Sequence, residues 1–175
     1  MTIDGGESDR RPVVCFLCTG NAARSVMARV MFADRAPGFR AVAAGTLVLE
    51  GHPMSQRTRL ALARFDLSDM GHRSRQFGDD HVDSDLVVAM EPGHVAWMRR
   101  HHPEVAPRTA TLPRLVRHLP ADGPLGERLA EMDLAAVEVG EWEEVVDPAS
   151  GDQDVFHACA AELDGLIDQL ADLLR

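Results

Sequence analysis

The chain has 175 residues, 45% of them apolar, and a formal charge of −10. That length suits one domain with a sizeable core, and the apolar share excludes a disordered chain; the charge disfavours nonspecific binding to nucleic acid or to an acidic membrane surface. No lysine occurs anywhere, so a phosphate loop ending in Gly-Lys-Ser/Thr is excluded, and with it a nucleotide triphosphatase of that type.

Met1 to Arg11 is polar and contains glycines. It lacks the apolar stretch of a signal peptide and reads as a flexible tail, leaving residues 12–175 as a single domain. No apolar run approaches the length of a membrane helix. Cys15, Cys18 and Cys159 are the only cysteines. They supply no disulfide framework, which points to the cytoplasm.

The first element is the apolar run from Val13 to Cys18, which reads as a buried strand. A helical pattern starts at Arg24, carries Val26, Met27, Val30 and Met31 on one face, and stops at Pro37-Gly38. Ala41 to Ala44, followed by Gly45, reads as a second strand, and Pro53 opens a helical stretch through Leu60, Leu62 and Phe65. Asp85 to Met90 is a third buried strand, followed by a helix from about Pro92 to His101. The stretch from Pro103 to Gly126 has a fourth strand at Thr109–Leu112 and a surface loop at Leu119–Pro124. From Asp152 a long helix carries Val155, Phe156, Cys159, Leu163, Leu166, Ile167, Leu170 and Leu174 as one apolar stripe. Trp97 and Trp142 read as core or partly buried, and His101-His102 as a solvated helix end. Strands alternating with helices imply right-handed crossovers between parallel strands. The expected fold is α/β and doubly wound: a four-stranded, mostly parallel sheet with helices on both faces.

The turn after the first strand carries the chemistry. Cys18 closes an apolar strand, Arg24 opens a helix, and Gly20 between them permits a left-handed turn. Ligands of open α/β sheets bind beyond the carboxyl ends of strands, which is where this turn must lie. A thiol among backbone N–H groups at a helix N-terminus, with a guanidinium beside it, suits attack on a bound tetrahedral oxyanion. Phosphate-ester cleavage is the chemistry that follows.

Cys18-Thr19-Gly20-Asn21-Ala22-Ala23-Arg24-Ser25 resembles the signature of low-molecular-weight protein tyrosine phosphatases. The resemblance continues through Ala43-Ala44-Gly45-Thr46, His72-Arg73-Ser74-Arg75-Gln76 and Asp147-Pro148. It implies that residues Thr19 to Ser25 wrap the phosphate, with Cys18 as nucleophile and Arg24 gripping two phosphoryl oxygens. Ser25 would donate its hydroxyl to the Cys18 thiolate. Asn21 would pin the loop, helped by His72 or Ser74. Asp147 would be the general acid and then the base for the attacking water, with Pro148 restricting its backbone. No metal or other cofactor is implied. The substrate would be a phosphorylated protein, first of all phosphotyrosine, with inorganic phosphate as product and inhibitor; a monomer is the family default.

Three departures bear on that expectation. Ala23 stands where many members carry a second loop cysteine, and Cys15 lies on the other face of its strand, so no internal disulfide partner is expected. Ala149 and Ser150 follow Asp147-Pro148 where tyrosines often wall the substrate ring, and this chain has no tyrosine. Leu47, Val48, Leu49 and Ala149 are the remaining wall candidates. Glu91 replaces the usual aspartate after the third strand. Arsenate reductases share this fold and loop: one that uses an external thiol is the alternative reading, and a non-catalytic phosphoprotein-binding relative is the second.

Overall fold

A computed structural model describes residues 10–175. The expected tail falls on residues 1–9, outside the described residues, except for Arg10 and Arg11. Those two are tied down: Arg10 donates to Asp83 O and Asp85 Oδ2, both at 3.2 Å, and Arg11 to Pro37 O at 3.2 Å.

Four strands, β1 (Val13–Cys18), β2 (Arg40–Gly45), β3 (Leu86–Ala89) and β4 (Thr109–Thr111), form one sheet. Their order is β2-β1-β3-β4, and every pairing is parallel. Central strands of such a sheet are covered on both faces, which is why β1 and β3 are unbroken apolar runs. Val14, Phe16 and Cys18 face one core with α1 (Arg24–Arg35) and α6 (Gln153–Leu174). Cys15 and Leu17 face the other, with Met98 of α3 (Pro92–His101), Phe77 and Val105. Cys15 and Cys18 therefore lie on opposite faces, and burial pushes the Cys15 thiol far above its ordinary range. Helices α2 (Gln56–Ala63), α4 (Leu112–His118) and α5 (Leu125–Ala130) complete the layers.

The chain runs from β1 outward to β2, then crosses back to β3 on the other side of β1. The loops leaving β1 and β3 thus diverge from adjacent strand ends, the position at which open α/β sheets bind ligands.

Several details differ from the sequence reading. Helix α2 begins at Gln56 rather than Pro53, because Ser55 caps it by accepting from Thr58 N at 3.2 Å. The α6 stripe runs through Phe156, Cys159, Ala160, Leu163, Ile167, Leu170, Ala171 and Leu174, leaving Val155 exposed on the first turn. Trp142 is also exposed, its ring lying beside the guanidinium groups of Arg114 and Arg117. The left-handed residue of the turn after β1 is Asn21, with φ 51°, and not Gly20. Asparagine tolerates that conformation because its short amide bonds locally.

Candidate active site

The turn from Cys18 to Ser25 is closed around its own side chains. Cys18 Sγ lies 3.0 Å from Ser25 Oγ, and Asn21 Nδ2 donates to the same hydroxyl oxygen at 2.9 Å. Because the Asn21 amide N–H donates to one of its lone pairs and cannot accept, the Ser25 hydroxyl proton is free to point at the sulfur. A hydroxyl so placed can donate to the Cys18 sulfur.

Asn21 is the hub of the turn. Its carbonyl oxygen accepts from His72 Nε2 and Ser74 Oγ, both at 2.8 Å, while Oδ1 accepts from Arg75 N at 2.9 Å. A carbonyl only accepts, so His72 carries its proton on Nε2. Burial pushes the His72 pKa below its ordinary value, and the bond to Asn21 opposes that shift. Both residues expected to help Asn21 therefore converge on its backbone, and the main chain of Arg75 adds a third contact. On the α2 side, Thr58 Oγ1 donates to Ala22 O at 3.0 Å.

Gly45 lets β2 approach the turn. A Cβ there would sit 2.4 Å from Thr19 O and from Val48 Cγ2, so only glycine fits. The next residues continue the embrace: Thr46 N donates to Cys18 O and Leu47 N to Thr19 O, each at 3.0 Å. With those carbonyls turned outward, the amides of Gly20, Ala22 and Ala23 meet no protein acceptor among the described residues. They lie at the N-terminus of α1, where the helix dipole favours an anion.

Arg24 is buried, only 2% exposed. Its Nη1 donates to Glu91 Oε2 at 2.7 Å and to Val145 O at 2.8 Å, and its Nη2 lies 3.5 Å from Asp147 Oδ2. One corner of the guanidinium is thus anchored, which orients the Nε–Nη2 edge as a fork for two oxygens. Val145 is itself fixed by its N–H to Met90 O at 2.7 Å. Asp147 follows two residues on, with Oδ1 accepting from Ala149 N at 3.0 Å and Pro148 buried beneath. The fold therefore brings Asp147, 123 positions further on, to Arg24, in the turn that also carries Cys18.

The expected wall residues are spread differently. Leu47 and Leu49 are exposed on the loop after β2, Ala149 is exposed beside Asp147, and Val48 packs against Gly45. Sequence reasoning missed three contributors. Val145 acts through its backbone, which no side-chain pattern reveals. Thr58 was visible only as the third residue after a helix-capping serine. His94, three residues after Glu91 on a helix opened by Pro92, is buried with Nε2 2.9 Å from Thr19 Oγ1.

A buried thiol, an anchored guanidinium and a carboxylate around a helix N-terminus at a topological switch point are the makings of a cysteine-dependent phosphatase. The chain belongs to the family described as low molecular weight phosphotyrosine protein phosphatase, which matches residues 13–122. It is 35% identical over 155 residues to a low molecular weight protein-tyrosine-phosphatase of Streptomyces coelicolor, covering 83% of each chain. It is 29% identical over 164 residues to a protein-arginine-phosphatase of Geobacillus stearothermophilus, covering 93% of this chain and 95% of the relative. The structure of the YwlE arginine phosphatase from that organism superposes with a TM-score of 0.76 at 30% identity, over 93% of this chain and 92% of that one. The chain is accordingly a phosphoric monoester hydrolase that acts on phosphoproteins.

Proposed function

We propose that Cys18 attacks the phosphorus of a phosphorylated side chain held by residues Thr19 to Ser25. The P–O bond to the leaving group breaks as the S–P bond forms, and Asp147 protonates the departing oxygen. Water, deprotonated by Asp147, then cleaves the cysteinyl-phosphate, and Ser25 donates to the leaving sulfur. Arg24 and the free loop amides hold the equatorial oxygens, whose charge is best matched in the transition state. The single observation that carries this reading is the bond of Ser25 Oγ to Cys18 Sγ at 3.0 Å, with Asn21 Nδ2 occupying the other side of the hydroxyl.

The first substrate in this proposal is phosphotyrosine, its ring lying between Leu47 or Leu49 and Ala149. A second reading, phosphoarginine, is favoured by one observation: the chain lacks any tyrosine to stack on a phenyl ring. The Geobacillus relative, matched over nearly its whole length, is a protein-arginine-phosphatase. Turnover of the same peptide carrying either phosphoresidue separates the two, and the larger kcat/KM names the substrate. Arsenate reduction with an external thiol, assayed in parallel, tests the remaining alternative. We further propose a monomer that binds inorganic phosphate as product and works in the cytoplasm, where its three free cysteines stay reduced. No helix among the described residues is long and apolar enough to cross a membrane.

A further inference from the structure

His94 sits in the first turn of α3, 2% exposed, and takes no part in the chemistry above. Its Nε2 lies 2.9 Å from Thr19 Oγ1 and 3.9 Å from Glu91 Oε1, while its Nδ1 is buried without a partner. The other oxygen of Glu91 accepts from Arg24. Thr19 is thus bonded to His94, and Glu91, whose nearer oxygen lies beyond hydrogen-bond reach of the same nitrogen, stands between that pair and Arg24. Thr19 is gripped twice, because its carbonyl also accepts from Leu47 N at 3.0 Å.

The proton on His94 has a definite home. Placing it on Nδ1 would bury an N–H with no acceptor, whereas on Nε2 it faces both a hydroxyl oxygen and a carboxylate. Thus Nε2–H donates to Thr19 Oγ1, and the hydroxyl hydrogen of Thr19 is left free.

We infer that His94 is a positioning residue for the nucleophilic turn: its Nε2–H fixes Thr19, the residue next to Cys18, in register with the carboxylate that holds Arg24. This rests on the reading of Cys18 as nucleophile. The bond does no work on the bound phosphate directly. It keeps the loop amides and the guanidinium in one frame, so its loss is felt in the transition state more than in ground-state binding.

The test uses the full chain, a small aryl phosphate and four variants: His94→Ala, His94→Gln, Thr19→Val, and the double His94→Ala/Thr19→Val. Loss of one such bond is expected to lower kcat about tenfold in His94→Ala and in Thr19→Val. KM should stay within about twofold of the wild type. The double variant should be no worse than either single one, and glutamine, whose amide N–H reaches as far as Nε2, should restore most of the rate. Nitrogen NMR of the histidine ring in the wild type should show the Nε2–H tautomer, independently of turnover. An unchanged kcat in His94→Ala, additive losses in the double variant, or an Nδ1–H tautomer would overturn the proposal. If His94→Ala does not fold, Thr19→Val and the tautomer decide. Cys18→Ser in the same assay keeps the two readings apart: a wild type with no Cys18-dependent turnover sinks the nucleophile assignment, while the NMR still reports on the His94–Thr19 bond.

Discussion

The Cys18–Ser25 turn and the segment that brings Asp147 to it are held in different ways. Cys18, Asn21, Arg24 and Ser25 are all buried, and the turn is fastened from three sides by β2, by residues 72–75 and by α2. The Asp147 side chain is 46% exposed. Its own segment is anchored upstream, where fully buried Glu143 accepts from Arg114 Nε and Thr111 Oγ1, each at 2.7 Å, and from Gly140 N at 2.6 Å. Burial by itself would raise the Glu143 pKa, but those donors outweigh it and hold the carboxyl below its ordinary value. One half of the site is thus held rigid by local closure, and the other is tethered by a remote ionic anchor. The rigid half suits a group that must meet phosphorus at fixed geometry. The tethered half suits the proposed acid, which would serve first a leaving group and then a water.

Breaking the rigid half should give the largest effect. Cys18→Ser should reduce turnover of an aryl phosphate by about 10⁴-fold or more, with thermal stability little changed. Asp147→Asn should cost about 10²–10³-fold in kcat while inorganic phosphate still binds, as calorimetry can show. Equal losses in the two would erase the distinction drawn between the halves.

Breaking the anchor should act on both stability and rate. Glu143→Gln leaves Arg114 without its carboxylate, and denaturant titration should show a loss of about 3 kcal/mol. Its kcat should fall several-fold while KM for the aryl phosphate hardly moves, because the acid is displaced and the loop is not. A change in KM alone would contradict the anchor's role. Gly45→Ala, by contrast, pushes a methyl group against Thr19 O. It should cost about 2 kcal/mol in the same titration and impair phosphate binding as well as rate.

Mild acid should give the smallest effect. Burial, with Arg24 nearby, pushes the His94 pKa down to about 4 against the opposing pull of Glu91 and Asp147. A histidine with a depressed native pKa is protonated more readily in the unfolded chain. It therefore loses stability as pH falls from about 6.5 to about 4. Between about pH 7 and pH 5.5 the loss from this group should be about 1 kcal/mol. His72 and His81, whose pKa values are also lowered by burial, push the same way. Thermal melts across that range check the sign, and His94→Gln should flatten the slope.

The rigid half was also the legible half. Cys18, Asn21, Arg24 and Ser25 fall within one eight-residue segment, so strand, turn and helix start could be read in one window. Even there Gly20 drew the left-handed assignment that Asn21 actually takes, because glycine is the default for positive φ and the bonds that stabilise asparagine come from residues 72–75. Asp147 was legible only through a resemblance. Its anchors were not legible at all: Glu143 meets Arg114 across 29 positions, and Arg24 meets the Val145 carbonyl across 121. Trp142 and Val155 show a related limit, since apolar character did not reveal that one lies beside two arginines and the other on the open first turn of α6.

The proposed mechanism passes through a covalent phosphoryl group on Cys18, formed by the rigid half and released by the tethered half. It is sought by rapid acid quench of Asp147→Asn during turnover, tryptic digestion, and mass spectrometry of the Arg11–Arg24 peptide. One added phosphoryl group is expected on Cys18, none on Cys15, and none in Cys18→Ser. Turnover that proceeds at comparable rate with no phosphate on Cys18 would contradict it.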